Sequence, residues 1–193
     1  KNYAEYEVEF SPKINCLVGD NGTGKTNVLD AIHYLSFCKS YFTSIDSNNI
    51  RHGEDFFVIQ GWYDKNNEIF ELSCGLKRNQ KKSFRKNKKE YEKLSEHIGQ
   101  FPLVIIAPTD SELIIGLSEV RRKFLDGIIS QYNKFYLEQL ISYQQALRQR
   151  NALLKHFSEN KTFDSETLAV LDEQLCLYGN EIIKERKIFL EEF

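Results

Sequence analysis

A glycine-rich stretch near the beginning of the chain has the residue types and spacing of a phosphate-binding loop. Residues 19–26 read GDNGTGKT, which fits the Walker A pattern GxxxxGK[S/T] at every required position. The glycines allow backbone N–H groups to face phosphate oxygens, and a following helix adds the partial positive charge of its N-terminus. Lys25 would reach the β- and γ-phosphates of ATP, and the Thr26 hydroxyl would hold Mg²⁺. The residues predicted to bind nucleotide are Gly19, Asp20, Asn21, Gly22, Thr23, Gly24, Lys25, Thr26 and Asn27.

Hydrolysis needs more than this loop, because an acidic residue after a second buried strand must orient Mg²⁺ or water. Asp172 and Glu173 follow an apolar run, but that run belongs to a helical stripe, so both carboxylates are predicted on a helix surface. Asp110 lies just beyond another apolar run and fits a turn at least as well as a nucleotide contact. We therefore assign no catalytic residue, and we expect weak nucleotide binding with almost no turnover.

Short apolar segments surround the loop and predict the elements that position it. A half-buried strand at Tyr6–Phe10 precedes a buried strand at Ile14–Val18, and a helix starts at Lys25. Strands at residues 56–63 and 68–76 form a predicted hairpin. A buried strand is predicted at Pro102–Ala107, and only helices follow it. The chain is thus predicted to be α/β over residues 1–108 and all-helical over residues 109–193.

Charge is distributed unevenly along the chain. The net charge is −2, yet residues 77–93 contain nine Lys or Arg and two Glu, a local net charge of +7. Such a basic block favours a polyanion contact, although a solvated hairpin tip fits the same pattern. The predicted DNA-contact residues are Lys77, Arg78, Lys81, Lys82, Arg85, Lys86, Lys88 and Lys89.

The cysteine spacing and the length of the apolar runs help to predict the cellular compartment of the protein. The cysteines at positions 16, 38, 74 and 176 form no CxxC pair, which argues against a zinc site or a disulfide framework. Cys16 and Cys176 lie in apolar runs and are predicted to be core thiols, and His33 is predicted at the surface. No apolar run approaches the ~20 residues that span a bilayer. We expect a reducing, cytoplasmic setting and no membrane partner.

Beyond the loop, several stretches resemble the RecF family of bacterial recombination and repair ATPases. The Ser118–Asp126 stretch SEVRRKFLD and the Gln149–Asn151 stretch are more specific than the loop itself. The other matching stretches are Asn15–Ile32, Lys39–Phe42, Ile50–Gly53, Pro108–Asp110 and Tyr143–Lys155.

The resemblance implies an ABC-type P-loop NTPase head, related to chromosome-maintenance (SMC) ATPases. Residues 1–108 would be the ATP-binding lobe I, with a mixed sheet around the loop helix, and residues 109–193 an incomplete helical lobe II. The family's signature and second acidic (Walker B) motifs are expected outside this N-terminal portion. Lys39 falls where related heads carry a basic residue near the nucleotide, and a surface lysine is the alternative.

The resemblance also implies partners and activity. RecF proteins form ATP-dependent homodimers, bind DNA at single-strand gaps and junctions, and help to load recombinase with RecO and RecR. Their ATPase is slow and linked to DNA. Two alternatives stay open from the residues alone: a head of another SMC- or ABC-type ATPase, including a transporter subunit, or a P-loop small-molecule kinase.

Overall fold

The computed structural model describes residues 2–192 of the chain. The chain separates into two compact units, with the division between Ile105 and Ile106. The first unit combines one long helix with a β-sheet, and the second is helical.

An antiparallel sheet of four strands forms most of the first unit. Its order is β1-β2-β3-β4, with strands Phe56–Lys65, Glu68–Lys77, Ser83–Lys86 and Lys89–Glu90. Asn66 and Asn67, at φ 56° and 65°, form the tight turn between β1 and β2. Such left-handed two-residue turns match the twist of the paired strands, and asparagine tolerates them well. The predicted hairpin is confirmed.

Helix α1, Lys25–Phe37, packs on one face of this sheet. Alternate side chains of β2 enter the core because successive residues of a strand point to opposite faces, which buries Leu72, Cys74 and Leu76. The core of the first unit contains Tyr34, Leu35, Cys38, Leu72, Cys74, Phe84 and Phe101.

The three strands predicted at Tyr6–Phe10, Ile14–Val18 and Pro102–Ala107 are not strands in the structure. Ile14, Val18, Val104 and Ile106 are 83–90% exposed. A strand needs a neighbour for its N–H and C=O groups, and no segment among residues 2–192 pairs with these three. The sheet is consequently antiparallel, not mixed, over the part of the chain that the structure describes.

The second unit begins with a 3₁₀ turn at Pro108–Ser111 and a single-turn helix α2, Glu112–Ile115. Three longer helices follow: α3 at Ser118–Tyr132, α4 at Lys134–Asn160 and α5 at Ser165–Glu192. Asn133 caps α4 by accepting a hydrogen bond from the Tyr136 N–H at 2.9 Å, and Asp164 accepts from the backbone of Glu166 and Thr167 before α5.

A partly buried polar cluster ties these helices together around the core of Ile129, Tyr136 and Ile182. Arg186 of α5 donates to Asp126 of α3 at 2.6 and 3.0 Å, and the Tyr136 hydroxyl donates to the same carboxylate. Asp126 thereby links all three helices.

Two predictions about cysteine were wrong. Cys16 and Cys176 are exposed, whereas Cys38 and Cys74 are buried. Cys16 lies in the unpaired segment before the loop, so its apolar neighbours do not enclose it. Burial raises the pKa of the Cys38 and Cys74 thiols to about 12, which keeps them protonated. Among residues 2–192, no helix combines the length and apolar character that crossing a bilayer requires.

Candidate nucleotide-binding site

The predicted phosphate-binding loop leads directly into α1, and three of its glycines adopt positive φ. Gly19, Gly22 and Gly24 have φ values of 151°, 85° and 106°. These conformations are rarely adopted by residues with a Cβ, so the glycine spacing of the motif matches the backbone that it forms. Gly24 is the residue before the first turn of α1 and makes no side-chain cap, which leaves the helix N-terminus open to a ligand.

Lys25 crosses back over this loop. Its ammonium Nζ donates to the carbonyl oxygens of Gly19 and Asp20, both at 2.6 Å. The Thr23 hydroxyl donates to the Asp20 carbonyl at 2.9 Å and holds the same turn from the other side. These neutral carbonyls hold the ammonium in place without removing its positive charge.

A cavity of about 250 Å³ lies at the loop and is lined by donors. Its lining contains no carboxylate, so an anion meets an ammonium, a hydroxyl and amide groups there. The lining residues are Asn2, Asn21, Gly22, Gly24, Lys25, Thr26 and Asn27. No cluster of three or more His, Cys, Asp or Glu suited to a metal occurs among residues 2–192.

Two residues in contact with the loop were missed by the sequence analysis. Asn2 donates from Nδ2 to the Gly22 carbonyl at 2.6 Å. The Tyr3 ring lies against Gly24 so closely that a Cβ there would come within 2.6 Å of it. Both residues lie outside the loop motif and no spacing pattern indicates them, so only the folded chain reveals their position.

Buried polar contacts fix the segment that follows α1. Asp30 of α1 accepts from the Ser40 hydroxyl at 2.7 Å and from the Tyr41 N–H at 2.8 Å. His33, predicted at the surface, is buried instead, with Nδ1 3.0 Å from the Lys39 carbonyl and its ring stacked on Phe37. Desolvation lowers the pKa of His33. The Lys39 side chain is exposed.

The C-terminal half of α1 is held by residues 97–101. His97 is fully buried, its Nε2 donates to the Leu35 carbonyl at 2.7 Å, and its Nδ1 lies 3.1 Å from the Tyr91 hydroxyl oxygen. The Leu35 carbonyl can only accept, so Nε2 carries a proton, and burial lowers the pKa of His97. The Ser36 hydroxyl donates to the Phe101 carbonyl at 2.5 Å.

The basic block is divided between two faces of the sheet. Lys82 and Lys86 lie on the same side of β3 as the buried Phe84, and both ammoniums make intramolecular contacts. Arg78 donates to the Glu54 carbonyl at 3.1 Å, and Arg85 lies 3.9 Å from Glu90. Four lysines of the basic block have exposed side chains: Lys77, Lys81, Lys88 and Lys89.

The acidic candidates Asp172 and Asp110 belong to the second unit, and each makes a contact within it. Asp172, on α5, forms an ion pair with Arg150 of α4 at 2.5 Å. Asp110 accepts from the Ala107 N–H at 2.8 Å inside the 3₁₀ turn that opens the second unit. Arg121 donates to the carbonyls of Leu113 and Gly116, which accounts for a positive charge in the first turn of α3.

Comparison with known proteins identifies the family. A family model described as an AAA domain matches residues 1–192. The chain belongs to this AAA domain family. A RecF recombination mediator solved as RecF-ATP in the RecFOR pathway superposes with a TM-score of 0.81 at 34% identity, covering 89% of this chain and 46% of that one. The α/β P-loop NTPase fold predicted from the sequence is confirmed by that match.

Two curated relatives of this chain share the same description. Proteins described as DNA replication and repair protein RecF are 53% identical in Flavobacterium johnsoniae and 55% identical in Phocaeicola vulgatus, each over 100% of this chain. The chain covers 54% and 52% of those proteins, so it spans about half the length of the relatives that it matches. The predicted resemblance to RecF is confirmed over the whole chain.

Proposed function

We propose that this chain is the ATP-binding part of a RecF-like DNA replication and repair protein. The observation that carries the proposal is the loop at residues 19–26, which contains three positive-φ glycines and whose Gly22, Gly24 and Lys25 line a cavity at the start of α1. The triphosphate of ATP has the negative charge and the acceptor oxygens that complement the donors of this cavity. The similar RecF protein solved as RecF-ATP supports the same ligand.

Mg²⁺ belongs to the proposal through Thr26. Magnesium prefers oxygen ligands and is held in nucleotide sites by one or two protein oxygens together with phosphates. Thr26 supplies a hydroxyl in the lining, and the lining has no carboxylate that would hold the ion by itself. When bound with ATP, the ion would neutralise charge between the β- and γ-phosphates.

Nucleic-acid binding is the second part of the proposal. Lys88 and Lys89 form the exposed tip of the β3–β4 hairpin, and Lys77 and Lys81 lie exposed on the segments before β3. Exposed lysines of this kind contact phosphates independently of sequence and release counterions. DNA at single-strand gaps or junctions is the proposed ligand, with RecO and RecR as partners in loading recombinase. An ATP-dependent homodimer, a slow DNA-linked ATPase and a reducing cytoplasmic setting complete the proposal.

Titration calorimetry with ATP tests the nucleotide part. We expect the wild-type protein to bind ATP more tightly with Mg²⁺ than without it, and Thr26→Val to remove that difference while keeping metal-free binding. Asn27→Ala is the neighbouring control and should keep the Mg²⁺ effect. An equal Mg²⁺ effect in Thr26→Val would overturn the metal assignment and leave the loop assignment intact.

Fluorescence anisotropy with a gapped DNA tests the nucleic-acid part. The double variant Lys88→Glu, Lys89→Glu should weaken binding and flatten its salt dependence, since each lost phosphate contact lowers the salt slope by about 0.9. Lys155→Glu with Lys161→Glu, a matched charge reversal in the second unit, is the control. Unchanged DNA affinity in the hairpin variant would favour a solvated tip.

A further inference from the structure

A second, smaller cavity lies outside the nucleotide loop and gathers two lysines. It has a volume of about 170 Å³ and is placed between the β1–β2 turn and residues 100–101. A ligand pocket for a drug-sized molecule occupies several hundred cubic ångströms, so this cavity suits a small group. Its polar lining is Lys65, Asn66, Glu68, Lys86 and Gln100.

Both ammoniums are held by one residue. Lys65 donates to the Gln100 backbone carbonyl at 2.6 Å, and Lys86 donates to the Gln100 side-chain oxygen Oε1 at 2.8 Å. The Gln100 amide nitrogen donates to the Glu96 carbonyl at 2.7 Å, which turns Oε1 towards Lys86. The two ammonium nitrogens also lie 5.6 and 5.8 Å from the centroid of the Phe101 ring. The charges are thus positioned by neutral groups and by an aromatic face.

Neither ammonium of this pair forms an ion pair with a carboxylate of the described residues, although Glu68 belongs to the cavity lining. Among residues 2–192, no carboxylate lies within the 4.0 Å ion-pair distance of either ammonium nitrogen. Glu68 pairs with Lys65 across the two strands, yet the Lys65 ammonium contacts Gln100 instead. Like charges drawn to one residue repel each other, and an anion between them removes that repulsion. Each ammonium has three N–H donors, so donors remain for a ligand.

We propose that this cavity binds a phosphate group, and that the group belongs to the backbone of a nucleic acid. The backbone is favoured over a free phosphate because the cavity continues into the basic hairpin: Lys86 pairs across strands with Lys89, whose side chain is exposed on the same face. A polymer contacts the cavity and Lys89 together, whereas a free phosphate uses the cavity alone. The inference rests on the proposed nucleic-acid function and extends it to Lys65 and Asn66, outside the basic block.

The test is DNA binding by the protein with Lys65→Gln, measured by fluorescence anisotropy over a range of salt concentrations. We expect weaker binding and a salt slope that is smaller by about 1, the loss of one phosphate contact. Lys13→Gln, an exposed lysine of the same unit, should leave the slope unchanged. Glu68→Gln should strengthen binding, because it removes a negative charge from the lining. A thermal melt of each variant verifies that it is folded.

Two outcomes would overturn the inference, and they are distinguishable from failure of the proposed function. In the first outcome, Lys65→Gln leaves DNA binding unchanged while Lys88→Glu, Lys89→Glu weakens it. This result would reject the cavity as a phosphate site and keep the nucleic-acid function. Inorganic phosphate provides the second arm, followed through the Gln100 side-chain amide in ¹⁵N NMR spectra. Phosphate binding that Lys65→Gln abolishes, with DNA affinity unaffected, would assign the cavity to free phosphate. Failure of every basic variant to alter DNA binding would instead reject the nucleic-acid function itself.

Discussion

The ammonium of Lys82 lies 2.7 Å from the Asp46 carboxylate, and it also donates to the Cys38 carbonyl at 2.6 Å. The Tyr34 hydroxyl donates to Asp46 at 2.6 Å. One lysine of the basic block thus closes the C-terminal end of α1 against the segment before β1. Only 11% of the Lys82 side chain is exposed, so it acts inside the fold.

Replacing Lys82 should therefore affect stability. Lys82→Met leaves Asp46 without its cation and Cys38 without a donor, and we expect a loss of about 2 kcal/mol in the free energy of unfolding. Lys81→Met, an adjacent exposed lysine, should change it by less than about 0.5 kcal/mol. Urea denaturation of the two variants measures the difference. Equal stabilities would contradict the structural role of Lys82.

Gly24 should not tolerate a side chain. Its φ of 106° opposes alanine, and an alanine Cβ would come within 2.6 Å of the Tyr3 ring, so Gly24→Ala should cost about 1–3 kcal/mol and weaken ATP binding. Gly127 lies within α3, and a Cβ there meets nothing within 4 Å. Gly127→Ala should stabilise the protein by about 0.5–1 kcal/mol. A melting temperature that rises for both variants would refute the strained geometry at Gly24.

Stability should decline in mild acid because of His97 and His33. Burial lowers the pKa of each below the ordinary histidine value of 6.5, so the unfolded chain takes up protons first as pH falls. The contribution is fully present above pH 6.5 and is lost below it, by up to about 1.4 kcal/mol per pH unit for each histidine. The nearby charged group for His97 is Lys86, and those for His33 are Asp30 and Lys39.

Urea denaturation between pH 5 and pH 8 measures this dependence. His97→Gln should weaken the pH dependence of the free energy of unfolding only in part, since His33 remains. His156 is an exposed histidine of α4, so His156→Gln should leave that pH dependence unchanged. A wild-type stability that is constant through mild acid would contradict the burial of these two rings.

Arg186 should hold the second unit together more through its shape than through its charge. It reaches Asp126 through two nitrogens, Nε at 3.0 Å and one guanidinium NH₂ at 2.6 Å, which lysine cannot reproduce. We expect Arg186→Leu to cost about 2–3 kcal/mol and Arg186→Lys about 1–2 kcal/mol. Lys187→Leu, the exposed neighbour, provides the control, and denaturation of the three variants should rank them in this order. A fully stable Arg186→Lys would show that charge alone suffices.

The features that could be predicted from sequence alone are those determined by residues close together in the chain. The loop spacing, the hairpin and the start of α1 depend on residues within a few positions of one another, and the structure has each of them. Contacts distant in sequence were not predictable. Lys82 turns inward to contact Asp46, which lies 36 positions earlier in the chain. His33 is buried because the chain after α1 folds back over it. The strands predicted at Ile14–Val18 and Pro102–Ala107 fail for the same reason, since apolar character does not provide a pairing partner.

Titration calorimetry of ATP with Mg²⁺ into the wild-type protein and Lys25→Ala tests the central claim most directly. Charge-assisted hydrogen bonds contribute about 1.5–3 kcal/mol, so the variant should bind about 10- to 100-fold more weakly. Lys13→Ala, an exposed lysine outside the loop, should bind as the wild type does. An ATP affinity that is the same in Lys25→Ala and in the wild type would contradict the assignment of residues 19–27 as the nucleotide site.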